Sequence, residues 1–195
     1  MASRFECEVR FMIPDIDEFK EKLKELRAKV VFDYEFTDYY YVNDLEKPWN
    51  PSKKNLRIRV WKKPDPKCSV LFSELEILDV NGLKFKRSNL KEGKLCLYEG
   101  SFGECKRLLE SLGFRQWFSV EKKDCTLYEI PGHKFRTVNE FIPNLGWTGE
   151  LEVDGDNPED AAEKLKRQMK ILGFGLGDVT SDTVSMVYAK KNRLI

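Results

Sequence analysis

Two acidic doublets are the residues best spaced for chemistry in this chain. One lies in Phe5-Glu6-Cys7-Glu8-Val9-Arg10 and the other in Glu150-Leu151-Glu152-Val153. In an extended strand, residues two apart share one face. Glu6, Glu8 and Arg10 therefore line up together, as do Glu150 and Glu152. Two carboxylates 4 Å apart repel by ~1 kcal/mol in bulk water and by ~4 kcal/mol at intermediate dielectric. A cation offsets that repulsion, and an all-oxygen ligand set suits hard divalent ions such as Mg²⁺ or Mn²⁺. A single E-x-E on a strand is more often a solvated face than a metal site. Two of them, each on a strand that feeds a capped helix, turn the reading towards Glu6, Glu8, Glu150 and Glu152 as metal ligands.

A cationic set accompanies the acids. Leu56-Arg57-Ile58-Arg59-Val60-Trp61 alternates, with Arg57 and Arg59 on one face and aliphatic residues on the other. Lys84 and Lys86 share a face of their strand, and Lys122 comes from another strand. Arginine forks match phosphate oxygens in pairs, while lysine acts as a point charge. Carboxylates that hold a metal, beside cations that grip phosphate oxygens, form a site for a polyphosphate.

These residues need strands to position them. Phe5 to Met12 reads as a strand, and Asp15-Ile16-Asp17-Glu18 as a capping box that opens an amphipathic helix through Ile16, Phe19, Leu23, Leu26 and Val30. Tyr34 to Val42 and Leu56 to Trp61 read as strands around a loop over Leu45 to Asn55. Cys68 to Leu78, Leu83 to Ser88 and Lys94 to Glu99 follow, joined at Asp79-Val80-Asn81-Gly82 and Lys91-Glu92-Gly93 by hairpin turn chemistry. Ser101-Phe102-Gly103-Glu104 is a second capping box. Ser119 to Ile130 and Lys134 to Phe141 flank a turn at Pro131-Gly132, and the Glu150 strand comes next. Asn157-Pro158 starts a helix that Gly173 ends, and Asp178 or Ser181 is expected to cap a last one. Leu109-Glu110-Ser111-Leu112-Gly113-Phe114 and Met169-Lys170-Ile171-Leu172-Gly173-Phe174 close two helices alike. Eight or so antiparallel strands with helices outside predict an α+β fold around a barrel-like sheet, aliphatic faces outward and charged faces lining the lumen.

Composition sets bounds. The chain has 195 residues, enough for one large domain over 1–195 with a substantial core. Charged residues make up 34%, yet the net charge is +1, so a generally basic nucleic-acid binder is not indicated. No apolar run is long enough to cross a bilayer, and the amino terminus lacks a signal-peptide stretch, so no membrane partner is expected. Cys7, Cys68, Cys96, Cys105 and Cys125 are scattered without a C-x-x-C pair, which argues against a zinc ribbon or a disulfide framework and for reduced thiols in the cytoplasm. The single histidine, His133, sits in a turn, leaving neither a histidine triad nor a histidine-ligated zinc site.

Glu6-x-Glu8-x-Arg10 resembles the E-x-E-x-K signature of the CYTH superfamily, the triphosphate tunnel metalloenzymes. The resemblance runs on through Leu56-Arg57-Ile58-Arg59, Glu121-Lys122, and Leu145-Gly146 ahead of Glu150-Leu151-Glu152. It implies an eight-stranded antiparallel tunnel that binds a small triphosphate-containing molecule and one or two divalent ions. On that reading Glu6, Glu8 and Arg10 are catalytic, Arg10, Arg57, Arg59, Lys84, Lys86 and Lys122 hold substrate, and the two doublets hold metal. Asp38 and Tyr40 match a D-x-Y pattern of the family. The sequence departs from the family at Arg10 for lysine, at Asp124 where a cation is usual, and at Asn139, roughly where an aspartate stands. The activity expected is metal-dependent hydrolysis of tripolyphosphate, thiamine triphosphate or a nucleoside triphosphate. Alternatives are a class IV-type adenylyl cyclase, or a non-catalytic module for polyphosphate or a triphosphorylated RNA end. The oligomeric state stays open.

Overall fold

The computed structural model describes residues 5–43, 50, 52–91 and 93–195. Within them the chain runs β1 (Phe5–Met12), α1 (Ile16–Glu25), β2 (Lys29–Val42), β3 (Lys54–Lys63), β4 (Lys67–Val80), β5 (Leu83–Lys91), β6 (Leu95–Glu99) and α2 (Phe102–Ser111). It continues with β7 (Arg115–Ile130), β8 (Phe135–Ile142), β9 (Gly146–Asp154), α3 (Pro158–Leu172), β10 (Val179–Thr180) and α4 (Val184–Lys191). Most of the loop expected over 45–55, and Glu92 of the second hairpin turn, lie outside the described residues.

Eight strands pair antiparallel in the order β1-β5-β4-β3-β2-β7-β8-β9. Strand β9 then returns to β1, from Glu6↔Asp154 to Met12↔Thr148, and closes the barrel. Strand β6 lies along the first half of β4, and β10 along β1. The expected α+β barrel with helices outside is the fold observed.

Alternation sorts each strand between lumen and helices. On β1, Cys7, Val9 and Phe11 point outward into a core with Phe19 and Leu23 of α1 and Leu165 and Met169 of α3. On β3, Leu56 and Ile58 pack outward with Tyr41 of β2 against Cys105 and Leu109 of α2. Fully burying one such side chain is worth ~1.5–3 kcal/mol, so these outer seams hold the helices on the barrel while the inner faces stay charged.

Asp15 caps α1 through Asp17 N at 2.9 Å and Glu18 N at 3.1 Å. The Ser101–Glu104 capping box on α2 and the Asn157 cap on α3 form as expected. The last helix is a correction: Thr183, not Asp178 or Ser181, caps α4 by accepting from Met186 N at 3.3 Å. Asp178 is engaged earlier, where its carboxylate accepts from Gly175 N at 2.8 Å. Strands β2 and β7 also start earlier than the sequence suggests, at Lys29 and Arg115, because each continues pairing with the other up to Lys29↔Glu129 and Val42↔Arg115.

Candidate active site

The barrel encloses a cavity of about 380 Å³. Glu6, Glu8 and Arg10 from β1, Arg57 and Arg59 from β3, Lys86 from β5, Lys122 from β7, and Glu150 and Glu152 from β9 all line it. Residues from five strands, far apart in sequence, thus meet in one lumen. Lys84 does not join them. It shares a strand face with Lys86 but is exposed, opposite Asp79 near the Asn81-Gly82 turn, and does not line the cavity, so its expected place in the lumen is corrected.

The lumen contacts fall into three groups. In the first, Arg59 forks onto Asp38, with Nε to Oδ1 and Nη2 to Oδ2 both at 2.7 Å. Its guanidinium lies over the Phe36 ring, 3.7 Å from the centroid. Arg57 approaches the same carboxylate at 3.4 Å and donates to Ser73 Oγ at 3.2 Å. The Arg57 Nε remains buried without a hydrogen-bond partner.

The second group centres on Glu140. Its carboxylate accepts from Lys122 Nζ at 2.7 Å on each oxygen, from Arg10 Nη1 at 2.9 Å and from Tyr34 Oη at 2.7 Å. Burial pushes the Glu140 carboxyl up, but Lys122 and Arg10 overcome it and hold the group at about 2. Glu140 was not among the residues read from sequence. Asn139, taken as the site of a lost carboxylate, points away from the lumen and donates to the Asp124 backbone oxygen at 3.0 Å. The carboxylate is therefore present, one position later. Asp124 is exposed at a bulge where the β7–β8 register shifts between Lys123 and Thr126, so it does not change the lumen's charge. The alternation of Val138 and Glu140 along β8 was the signal available.

The third group holds the two doublets. Glu8 on β1 lies directly opposite Glu152 on β9. Facing like charges in a cross-strand pair destabilise a sheet unless something neutralises them. Lys86 pairs with Glu8, and Arg10 with Glu150. Burial raises Glu8, yet Lys86 and Arg10 hold its carboxyl at about 2. Burial pushes Glu6 up to about 9, with Glu152, Glu8 and Glu150 adding to it. Burial likewise pushes Glu152 up to about 7, reinforced by Glu150 and Glu8. Gly93 lies against Glu6, where a Cβ would strike the carboxylate, so glycine lets the β5–β6 turn lie across the lumen's edge. Nearby Lys94 also lines the cavity.

The donor chemistry fits a hard divalent ion: four carboxylates, two facing one another, with Glu6 and Glu152 raised by burial and by the neighbouring carboxylates. Among the described residues no three acidic, histidine or cysteine side chains converge tightly enough to hold an ion as they stand. Glu8 and Glu150 instead spend their oxygens on Lys86 and Arg10. His133 is an exposed turn residue, and all five thiols are free. No helix among the described residues is long and apolar enough to cross a membrane. Glu74 and Glu76, a third E-x-E, face away from the lumen and pair with Lys54 and Arg87.

No family model and no curated protein matches the sequence. Solved structures do. A conserved hypothetical protein from Pyrococcus furiosus aligns with a TM-score of 0.71 at 25% identity, over 93% of this chain and 99% of its own. An adenylate cyclase candidate from Vibrio parahaemolyticus aligns with a TM-score of 0.69 at 14% identity, over 96% and 99%. An adenylyl cyclase candidate from Hippeastrum with a dominant triphosphatase activity aligns at 0.63 and 11%, over 95% of each chain. Together with the closed eight-stranded antiparallel barrel, these likenesses show that the chain shares the fold of those structures.

Proposed function

We propose that this protein is a divalent-metal-dependent triphosphatase that takes a triphosphate-containing small molecule into its barrel. The observation that carries this reading is the meeting of six carboxylates (Glu6, Glu8, Asp38, Glu140, Glu150, Glu152) and six cations (Arg10, Arg57, Arg59, Lys86, Lys94, Lys122) in one cavity of about 380 Å³. A lumen made only to be filled would be apolar, because buried charge is costly unless paired or engaged with a ligand.

Glu6, Glu8, Glu150 and Glu152 would hold Mg²⁺ or Mn²⁺. When bound there, the ion would polarise a phosphoryl oxygen and lower the pKa of a water. The chain's own groups do the rest. Arg10 has a buried Nε without a hydrogen-bond partner, and Arg57, whose Nε only approaches Asp38 at 3.4 Å, can turn to a phosphate oxygen. Lys86 would be freed to substrate as a metal ion competes for its partner Glu8. Glu140 holds Arg10 and Lys122 in place, and Asp38 holds Arg57 and Arg59, so the cationic wall is set before substrate arrives. Catalysis of this kind is positioning and electrostatic stabilisation of charge building on the leaving group.

The test is phosphate release from tripolyphosphate, thiamine triphosphate, ATP and GTP, with Mg²⁺ or Mn²⁺ and with chelator. Metal-dependent release that disappears in Glu8→Ala is the expected result. Full turnover in that variant, or in chelator, sinks the reading. Cyclisation of ATP is the second reading, favoured by the names of the structural neighbours, and cAMP with pyrophosphate as products would establish it.

A further inference from the structure

The barrel wall parts beside the two doublets. Strands β8 and β9 pair from Ile142↔Gly146 up to Thr137↔Leu151 and no further. Beyond that point Arg136 and Phe135 stay with β7, opposite Glu129 and Ile130. Glu152, Val153 and Asp154 stay with β1, opposite Glu8, Cys7 and Glu6. The two strands therefore diverge and leave a slot between them, roofed by Lys164 and Gln168 of α3.

This slot is a cavity of about 650 Å³ that borders the lumen, sharing Leu127, Val138, Glu150 and Glu152 with its lining. Pockets for small organic ligands span ~300–1,000 Å³. Its lining differs in kind from that of the tunnel. Phe135, Val153 and Pro131 add apolar surface, and acids (Glu129, Glu150, Glu152, Asp154) outnumber bases (Lys134, Arg136, Lys164). Such a wall does not suit a further run of phosphates. Gln168 has its side-chain oxygen buried without a hydrogen-bond partner. Buried polar side-chain atoms are normally satisfied, and an amide left open at a cavity wall can turn to a ligand donor.

We propose that the slot receives the organic group of an organic triphosphate, a heterocycle bearing N–H donors, while its phosphates lie in the tunnel. Gln168 is the specificity residue that reads it. The inference rests on the tunnel reading above and narrows its substrate class: esters of triphosphate are favoured over inorganic tripolyphosphate, which has nothing to place in the slot.

Inorganic tripolyphosphate serves as the internal control. Wild type, Gln168→Leu and Lys164→Trp, which fills the slot mouth from outside, are compared on ATP, GTP, thiamine triphosphate and tripolyphosphate. The readouts are kcat/KM and, with a methylene-bridged ATP analogue and tripolyphosphate, the Kd by calorimetry. Loss of one hydrogen bond predicts a fall of about 3- to 10-fold for the organic ligand in Gln168→Leu. A larger fall is expected in Lys164→Trp, with tripolyphosphate unchanged in both. The member of the panel that suffers most identifies the heterocycle. Equal losses on organic and inorganic ligands, or none on either, overturn the inference. So does a wild-type protein that takes tripolyphosphate but no organic triphosphate, a result that leaves the triphosphatase reading intact. If no member of the panel is turned over, the triphosphatase reading fails first, and the Kd comparison still decides the slot: selective weakening of the ATP analogue supports it. Absence of binding by any probe overturns both.

Discussion

Glu140 and Glu152 face the same lumen with opposite electrostatics. Glu140 is surrounded by Lys122, Arg10 and Tyr34, so its charge is stabilised. Glu152 is buried beside Glu150 and Glu8, so its charge is resisted. Removing one partner of a buried ion network costs ~3–5 kcal/mol, and Glu140→Gln should lower the melting temperature accordingly. Glu152→Gln should abolish phosphate release while leaving the chelated protein's melting temperature unchanged or higher. Paired melting curves and activity assays check both. The same groups set a pH dependence. Glu6 and Glu152 are raised from 4.5 to about 9 and about 7, so the stability they contribute is complete below 4.5 and is lost as pH rises through 7 and 9. Glu8 and Glu140 are lowered from 4.5 to about 2, so theirs is complete above 4.5 and is lost as pH falls towards 2. In chelator the melting temperature should therefore peak at mildly acidic pH and decline on both sides. Mn²⁺ should flatten only the alkaline decline. A melting temperature that rises between pH 6 and 9 in chelator would contradict the arrangement of the doublets.

At the scale of elements, strand alternation and helix closure carry the fold. The four α-helices among the described residues end in the same way, with a residue of positive φ followed by an N–H that reaches back: Ala28 to Leu23, Phe114 to Leu109, Phe174 to Met169 and Leu194 to Ala189. The sequence displays this at Gly113 and Gly173, where the motifs match. At Arg27 and Arg193 it does not, because no glycine marks the turn. Strand β9 meets β1 at Gly149, whose missing side chain leaves room for the buried Phe11 ring beside the Val138 carbonyl oxygen. A methyl group there must displace that ring, and overpacking of this kind costs ~1–3 kcal/mol. Gly149→Ala is expected to lower stability by that amount in denaturant melts and to lower activity too, because it shifts the strand that carries Glu150 and Glu152.

On the scale of the whole molecule, the barrel balances charge inside against apolar seams outside. The lumen ligands should therefore stabilise the fold as a unit. Binding to the native state alone adds about 2.7 kcal/mol at a ligand concentration 100 times Kd. Mn²⁺ together with a slowly hydrolysed triphosphate should raise the melting temperature by more than the two separate shifts added. The reason is that each neutralises charge the other must approach. Strictly additive shifts would mean the two bind at separate places. A barrel with a charged lumen is readable from strand alternation, but the register that closes it, with Glu8 of β1 opposite Glu152 of β9, joins residues more than a hundred positions apart and is set by the tertiary structure.

The sequence by itself determined the acidic doublets, the Arg57–Arg59 face, most of the strands and three of the four helix caps. Those features depend on alternation and on hydrogen bonds within a few residues, which are local. Tertiary structure alone decided that Glu140 supplies the central carboxylate, that Lys84 stays outside, and that β8 and β9 part beside the doublets. These outcomes follow from register, bulges and closure. Each is set by which distant strand lies alongside, and a shift of one residue in pairing sends a side chain to the opposite face.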